Sequence, residues 1–141
     1  MKKSASAVWK GSLQEGSGTI STQTGVLSNA PYGFKSRFEN GPGTNPEELI
    51  GAAHAGCFSM ALSLMLGQNG LTADSIETKA DVSLEKVGEG FEITASHLTV
   101  VAKIPGTDAA TFAKIAGQAK EGCPVSKLMN AKITMDATLA E

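Results

Sequence analysis

Cysteine is scarce in this chain, two in 141 residues, and that number is too small for a disulfide scaffold. The pair, Cys57 and Cys123, also lacks the CxxC spacing of a metal site or a thioredoxin-like motif. Charge is sparse as well. Charged residues make up 18% and the formal net charge is -2, with no basic stripe to track a nucleic-acid backbone. Repeats, low-complexity stretches and internal linkers are absent, so one domain over residues 1–141 is expected. A chain of this size buries roughly 68% of its unfolded surface, enough for a sizeable core. The opening segment is basic, but Lys10 interrupts it before a hydrophobic signal core can form. A cytoplasmic location is expected, where thiols stay reduced unless redox chemistry employs them. No cofactor and no metal are expected.

What the chain does contain is one long apolar run. Leu49 to Leu66 carries no acidic residue, lysine or arginine, and it is about as long as a minimal membrane span. His54, Ser59 and Ser63 interrupt it, flanking aromatic anchors are missing, and no second candidate span exists. An apolar helix of this kind in a globular chain is a central helix covered on every side, and no membrane partner is expected. Gly51, Ala52, Ala53, Ala55 and Gly56 would let another backbone approach it closely.

Strands are expected around that helix. Residues 4–13 and 17–22 read as a hairpin turning near Glu15-Gly16. Tyr32 to Phe38 alternates apolar and polar and is expected to be extended, ending at Asn40-Gly41-Pro42-Gly43. Ser75–Val87 and Phe91–Ile104 form a long strand pair about Gly88-Glu89-Gly90. Asp108 to Glu121 has helical spacing in Phe112, Ile115 and Ala119, with Gly122 as a stop signal. A short helix then starts at Cys123-Pro124, and Lys132–Leu139 closes the chain as a strand. The fold class is α+β, with a mostly antiparallel sheet around the central helix.

The start of the central helix follows residue by residue. Asn45 suits the N-cap, Pro46 suits N1 because its missing N–H is an orphan there, and Glu48 falls at N3 as a capping-box partner. Glu47 at N2 keeps a free carboxylate. It serves either as a favourable charge at the positive helix end or as the orienting partner of a cation.

The two thiols sit in unlike settings. Cys57 lies in apolar surroundings, which raise a thiol's pKa and leave it inert without a nearby cation. His54, one turn earlier, faces the same side; it is a core imidazole with one hydrogen bond or, alternatively, a base. Arg37 is the better candidate cation, although an exposed arginine on a strand would also fit. Cys123, between Gly122 and Pro124, occupies a helix N-cap where backbone N–H groups favour a thiolate. Local physics therefore nominates Cys123 as the more acidic sulfur.

The run Asn45-Pro46-Glu47-Glu48-Leu49 leading to Ala52-Ala53-His54-Ala55-Gly56-Cys57-Phe58, with Cys123-Pro124, resembles the OsmC/Ohr family of thiol-dependent hydroperoxide reductases, in its osmotically inducible OsmC branch. Trp9, Tyr32-Gly33-Phe34 and Ala80-Asp81-Val82-Ser83-Leu84 extend the resemblance over nearly the whole chain. It implies that Cys57 is the peroxidatic cysteine and Cys123 the resolving one, reversing the local ranking. It further implies that Arg37 stabilises the Cys57 thiolate and that Glu47 positions Arg37. His54 is outside the family's catalytic set and keeps its structural reading.

The implied reaction is reduction of organic hydroperoxides, and less efficiently hydrogen peroxide, in oxidative and osmotic stress defence. Cys57 becomes a sulfenic acid, Cys123 condenses with it to a disulfide, and a thiol reductant restores both. In relatives of the Ohr type that reductant is a lipoylated protein. Ten helical residues place Glu47 roughly 15 Å along the axis from Cys57, too far for Arg37 and Glu47 to serve the thiol of their own helix comfortably. The family's intertwined homodimer would present them to a partner's Cys57. The alternative is a non-enzymatic small-ligand-binding stress protein with two structural cysteines.

Overall fold

A computed structural model describes all of residues 1–141 as two compact units, Met1–Leu49 and Ile50–Glu141. In the first unit, strands β1 (Ala5–Lys10), β2 (Ser17–Thr22) and β3 (Ala30–Tyr32) form an antiparallel sheet in chain order. Trp9 and Tyr32 bracket β2 with ring centroids 5.4 Å apart. They meet over Gly18, where an added Cβ would lie 2.5 Å from the Tyr32 ring and 2.7 Å from the Trp9 ring. Glycine is the residue that lets the rings close on the strand.

The expected extended piece Tyr32–Phe38 is corrected here. The strand ends at Tyr32, and residues Phe34–Phe38 form a short helix, α1. The reason is local. The Ser36 hydroxyl accepts from the Gly33 N–H at 2.9 Å and donates to its carbonyl at 3.0 Å, closing the first turn of a helix. Phe34 and Phe38, which fit alternation, are also an i,i+4 pair, and their rings stack 4.9 Å apart.

Helix α2 (Pro46–Gln68) begins in this unit. Asn45 caps it, its Oδ1 accepting from the Glu48 N–H at 2.8 Å, while its Nδ2 donates to the Ser36 carbonyl at 3.0 Å. The Glu48 carboxylate takes the Thr44 hydroxyl at 3.0 Å, so the reciprocal half of the expected capping box is replaced by a side-chain partner.

In the second unit, β4 (Ser75–Val87) and β5 (Gly90–Lys103) form a long antiparallel hairpin turning at Gly88, whose φ is 62°. Strand β6 (Lys132–Ala140) pairs parallel to β5. A parallel neighbour needs a crossover, and α3 (Ala109–Gly122) with α4 (Pro124–Leu128) supplies it. Asp108 caps α3 by accepting from the Thr111 N–H at 2.7 Å, a bond that holds its carboxyl below the ordinary range. The core joins Leu98, Val100 and Ala102 of β5 to Phe58, Leu62 and Leu66 of α2 and to Phe112, Ile115, Ala116 and Ala119 of α3. Alternate β5 residues from Ser96 to Ala102 are buried, the period-two signature of a sheet with one covered face.

Helix α2 departs from its expectation on one side. Gly51, His54, Phe58, Leu62 and Leu66 are buried at helical spacing, whereas Ala53, Gly56, Met60, Ser63, Leu64 and Gly67 are exposed. Within one chain the helix is covered along one stripe and bare along the other. Its length and composition would allow it to cross a membrane, but its inner face bonds to the sheet through Ser59 and Thr78 at 2.7 Å.

Candidate active site

The two thiols meet although 66 residues separate them. Cys57 stands half-buried on α2, and the fully buried Cys123 occupies the joint between α3 and α4. That joint is shaped by the sequence Gly122-Cys123-Pro124. The Cys123 N–H closes α3 onto the Ala119 carbonyl at 2.9 Å, and its carbonyl accepts the Lys127 N–H at 3.1 Å to open α4. Pro124 at N1 cannot continue α3 but suits the start of a new helix. The Cys123 and Cys57 Sγ atoms lie 2.9 Å apart.

Their acidities diverge. Burial pushes the Cys57 thiol up, and hydrogen bonding with Cys123 pushes it further, against a weaker pull from the Val125 N–H. Burial also acts on Cys123, but the Cys57 thiol, the N–H and hydroxyl of Ser126 and the Val125 N–H together carry it below its ordinary value. The orphan N–H groups at the start of α4 thus favour charge on Cys123, as its N-cap position predicts. The side chain that follows Ser126 along this chain of contacts is an imidazole, whose charged form burial disfavours.

That imidazole is His54, fully buried on α2. Its Nδ1 lies 2.7 Å from Ser96 Oγ on β5, and its Nε2 lies 2.8 Å from Ser126 Oγ on α4. Burial pulls its pKa down. Sequence reasoning missed both serines. Ser126 was visible as the residue three after the N-cap Cys123, and Ser96 as a lone hydroxyl in the buried phase of β5.

Arg37 and Glu47 are brought together in the other unit, on α1 and in the first turn of α2. The guanidinium grips the carboxylate with two nitrogens, Nη2 to Oε1 at 2.8 Å and Nε to Oε1 and Oε2 at 3.1 and 3.3 Å. Glu47 is nearly buried, its side chain 10% exposed against 39% for Arg37. The Phe38 ring lies 5.5 Å from the guanidinium carbon. Arg37 was expected on a strand and stands instead on α1, where Phe38 follows it. Glu47 is thus paired with a cation, and a bidentate carboxylate fixes a guanidinium's plane as no single hydrogen bond does.

Two paired thiols and a cap that acidifies one of them are parts of thiol redox chemistry. The model of the family described as OsmC-like protein matches residues 39–138. The chain belongs to the OsmC-like family. Peroxiredoxin OsmC of Escherichia coli strain K12 is 58% identical over 97% of this chain and 96% of that protein. Organic hydroperoxide resistance protein-like 2 of Staphylococcus epidermidis is 33% identical over 71% of each. Among solved structures, the organic hydroperoxide resistance protein OhrB of Bacillus subtilis superposes with a TM-score of 0.68 at 26% identity, over 97% of this chain and 98% of that one. The OsmC-like chain shares with it a mixed α+β fold whose strand pairs are mostly antiparallel.

Proposed function

We propose that this chain reduces organic hydroperoxides with Cys57 as the attacking thiolate and Cys123 as the thiol that resolves it. Thiol-dependent hydroperoxide reduction is the activity of the chain, a cysteine-based peroxidase, as the names of its relatives support. The contact between the two sulfurs is the observation that supports pairing Cys57 with Cys123; that Cys57 is the one that attacks follows the family resemblance. The Cys57 thiolate attacks one peroxide oxygen and the other leaves as an alcohol, so the sulfur becomes a sulfenic acid. Cys123 then displaces water from it to form a disulfide. An external thiol reductant restores both thiols by exchange, as the lipoylated protein does in Ohr-type relatives. The reaction belongs to the cytoplasm and to oxidative and osmotic stress defence.

Cys57 needs a cation, because its own surroundings raise its pKa. The reading that fits is an intertwined homodimer of single-domain chains, in which the partner's Arg37, fixed by the partner's Glu47, faces Cys57. Two features support it. The exposed stripe Ala53, Gly56, Met60, Ser63 and Gly67 repeats at alternating steps of three and four along α2, the spacing of a helix seam. The β1 strand is exposed along its whole length, including Val8 and Trp9, as a strand awaiting a cover would be.

Thiol titration before and after cumene hydroperoxide tests the assignment. Two thiols per chain are expected to disappear, and none in Cys57→Ser. Thiols that survive the peroxide would favour a small-ligand-binding stress protein with structural cysteines. Mixing Cys57→Ser chains with Arg37→Ala chains is expected to restore part of the activity that each lacks alone. No recovery in such mixtures excludes a site shared between subunits.

A further inference from the structure

His54 and Ser126 lie outside the proposed peroxide chemistry, yet they form a continuous chain, His54 buried and Ser126 half-buried, that leads to Cys123. Ser126 stands at N3 of α4, three residues after the N-cap Cys123, and its hydroxyl and N–H both help to lower the pKa of that thiol. The same hydroxyl lies 2.8 Å from His54 Nε2, and His54 Nδ1 lies 2.7 Å from Ser96 Oγ. A neutral imidazole donates with one nitrogen and accepts with the other, and a serine hydroxyl can do either. The chain Cys123–Ser126–His54–Ser96 can therefore carry a proton in both directions without any side chain turning away.

Resolution of a sulfenic acid needs such a path. The Cys123 sulfur bonds the Cys57 sulfur and the S–O bond breaks. Cys123 is oxidised as the sulfenic sulfur is reduced, and the thiol proton must end on the departing oxygen to make water. Both sulfurs are shielded from bulk water to different degrees, Cys123 entirely. We propose that Ser126 and His54 form a proton relay for Cys123, taking its proton as the disulfide forms and returning it to the leaving oxygen. In the reductive half-reaction the relay runs backwards and reprotonates Cys123 as an external thiol opens the disulfide. The inference rests on the assignment of Cys123 as the resolving thiol. Ser126 stands beside the reacting sulfur, and His54 is a positioning residue that acts through it.

Nothing else around the relay competes for its proton. On β5, His97 turns to Thr134 and, at 3.0 Å, to Asp136 of β6. Lys127 of α4 is exposed, as are Lys114 and Glu121 of α3, with Lys120 half-buried. On β4, Lys79 pairs with Asp81 at 3.2 Å in the open. The two thiols are the titratable groups that the relay reaches.

Stopped-flow oxidation of the full chain separates sulfenate formation from disulfide formation. Ser126→Ala is expected to slow the second phase about tenfold or more, the low end of general acid–base catalysis being roughly a hundredfold. Its pH profile should climb through the ordinary thiol range near about 8.5, whereas the wild type levels off at lower pH. Ser126→Thr, which keeps the hydroxyl, should recover most of the rate. His54→Asn should lose the rate with Ser126 intact. Should that buried variant fail to fold, the alkylation profile of Cys123 in a Cys57→Ser chain, with and without Ser126→Ala, reads the same link. A wild-type chain that makes the disulfide, beside a Ser126→Ala chain equal to it in rate and pH profile, overturns the relay alone. A wild-type chain that makes no Cys57–Cys123 disulfide overturns the underlying assignment and the relay with it.

Discussion

A thiol and an imidazole take their acidity from what surrounds them, and the buried groups at this site divide accordingly. Cys123 gains from N–H groups that a helix start leaves unpaired, while Cys57 has burial and a neighbouring thiol against it. His54 answers to burial alone and is held neutral. The consequence for stability has a definite sign. Because the folded pKa of His54 lies below the unfolded value of 6.5, its contribution is complete above that pH. It is lost as pH falls through the folded pKa, since the unfolded chain binds the proton more readily. The wild-type Tm is therefore expected to fall between pH 7 and 5 more steeply than that of His54→Asn, which has no proton to take up. Equal slopes for the two chains, followed by circular dichroism, would show that His54 is not the group that acid attacks.

At the scale of elements, capping and periodicity decide most of the outcome. Asn45 ties the start of α2 twice, to the Glu48 N–H and to the Ser36 carbonyl. Asn45→Ala is expected to cost about 1 kcal/mol, seen as a fall of about 4 °C in Tm; an unchanged midpoint would mean that Thr44 and Glu48 cap the helix unaided. Asn45, the β4–β5 hairpin, α3 and the closing strand were all legible in the chain, because each rests on local signals, although α3 runs through Gly122 and ends at Cys123-Pro124. Phe34-Lys35-Ser36-Arg37-Phe38 was not. Five residues with apolar ends satisfy a strand's period and a helix's i,i+4 spacing equally well, and a serine hydroxyl on the Gly33 backbone tips the balance.

For the whole molecule the bare stripe of α2 matters most. Met60 is 77% exposed and Leu64 63%, on a helix whose opposite face is packed into the core. A second copy of the chain is the cover that the proposed function calls for. Met60→Glu/Leu64→Glu is expected to convert a dimer to monomers in analytical ultracentrifugation. Loss of peroxidase activity should follow, because Cys57 would lose the partner's Arg37. A double variant that stays dimeric would exclude this face as the seam.

By itself the sequence determined the long strands, the spans of α2, α3 and α4, the Asn45 cap and the family, since each depends on residues a few positions apart or on a motif of fixed spacing. It also offered Cys57, Cys123, Arg37 and Glu47 as site candidates, and the family resemblance supplied their roles. Tertiary structure decided the rest. It set two sulfurs 2.9 Å apart across 66 residues, closed Arg37 onto Glu47 from a helix that alternation had read as a strand, and bared one face of a helix that composition had read as covered. It also joined His54 to Ser96 and Ser126 across 42 and 72 residues. Periodicity can say which residues face inward, but which of them meet is decided by how the crossover through α3 and α4 returns to the sheet.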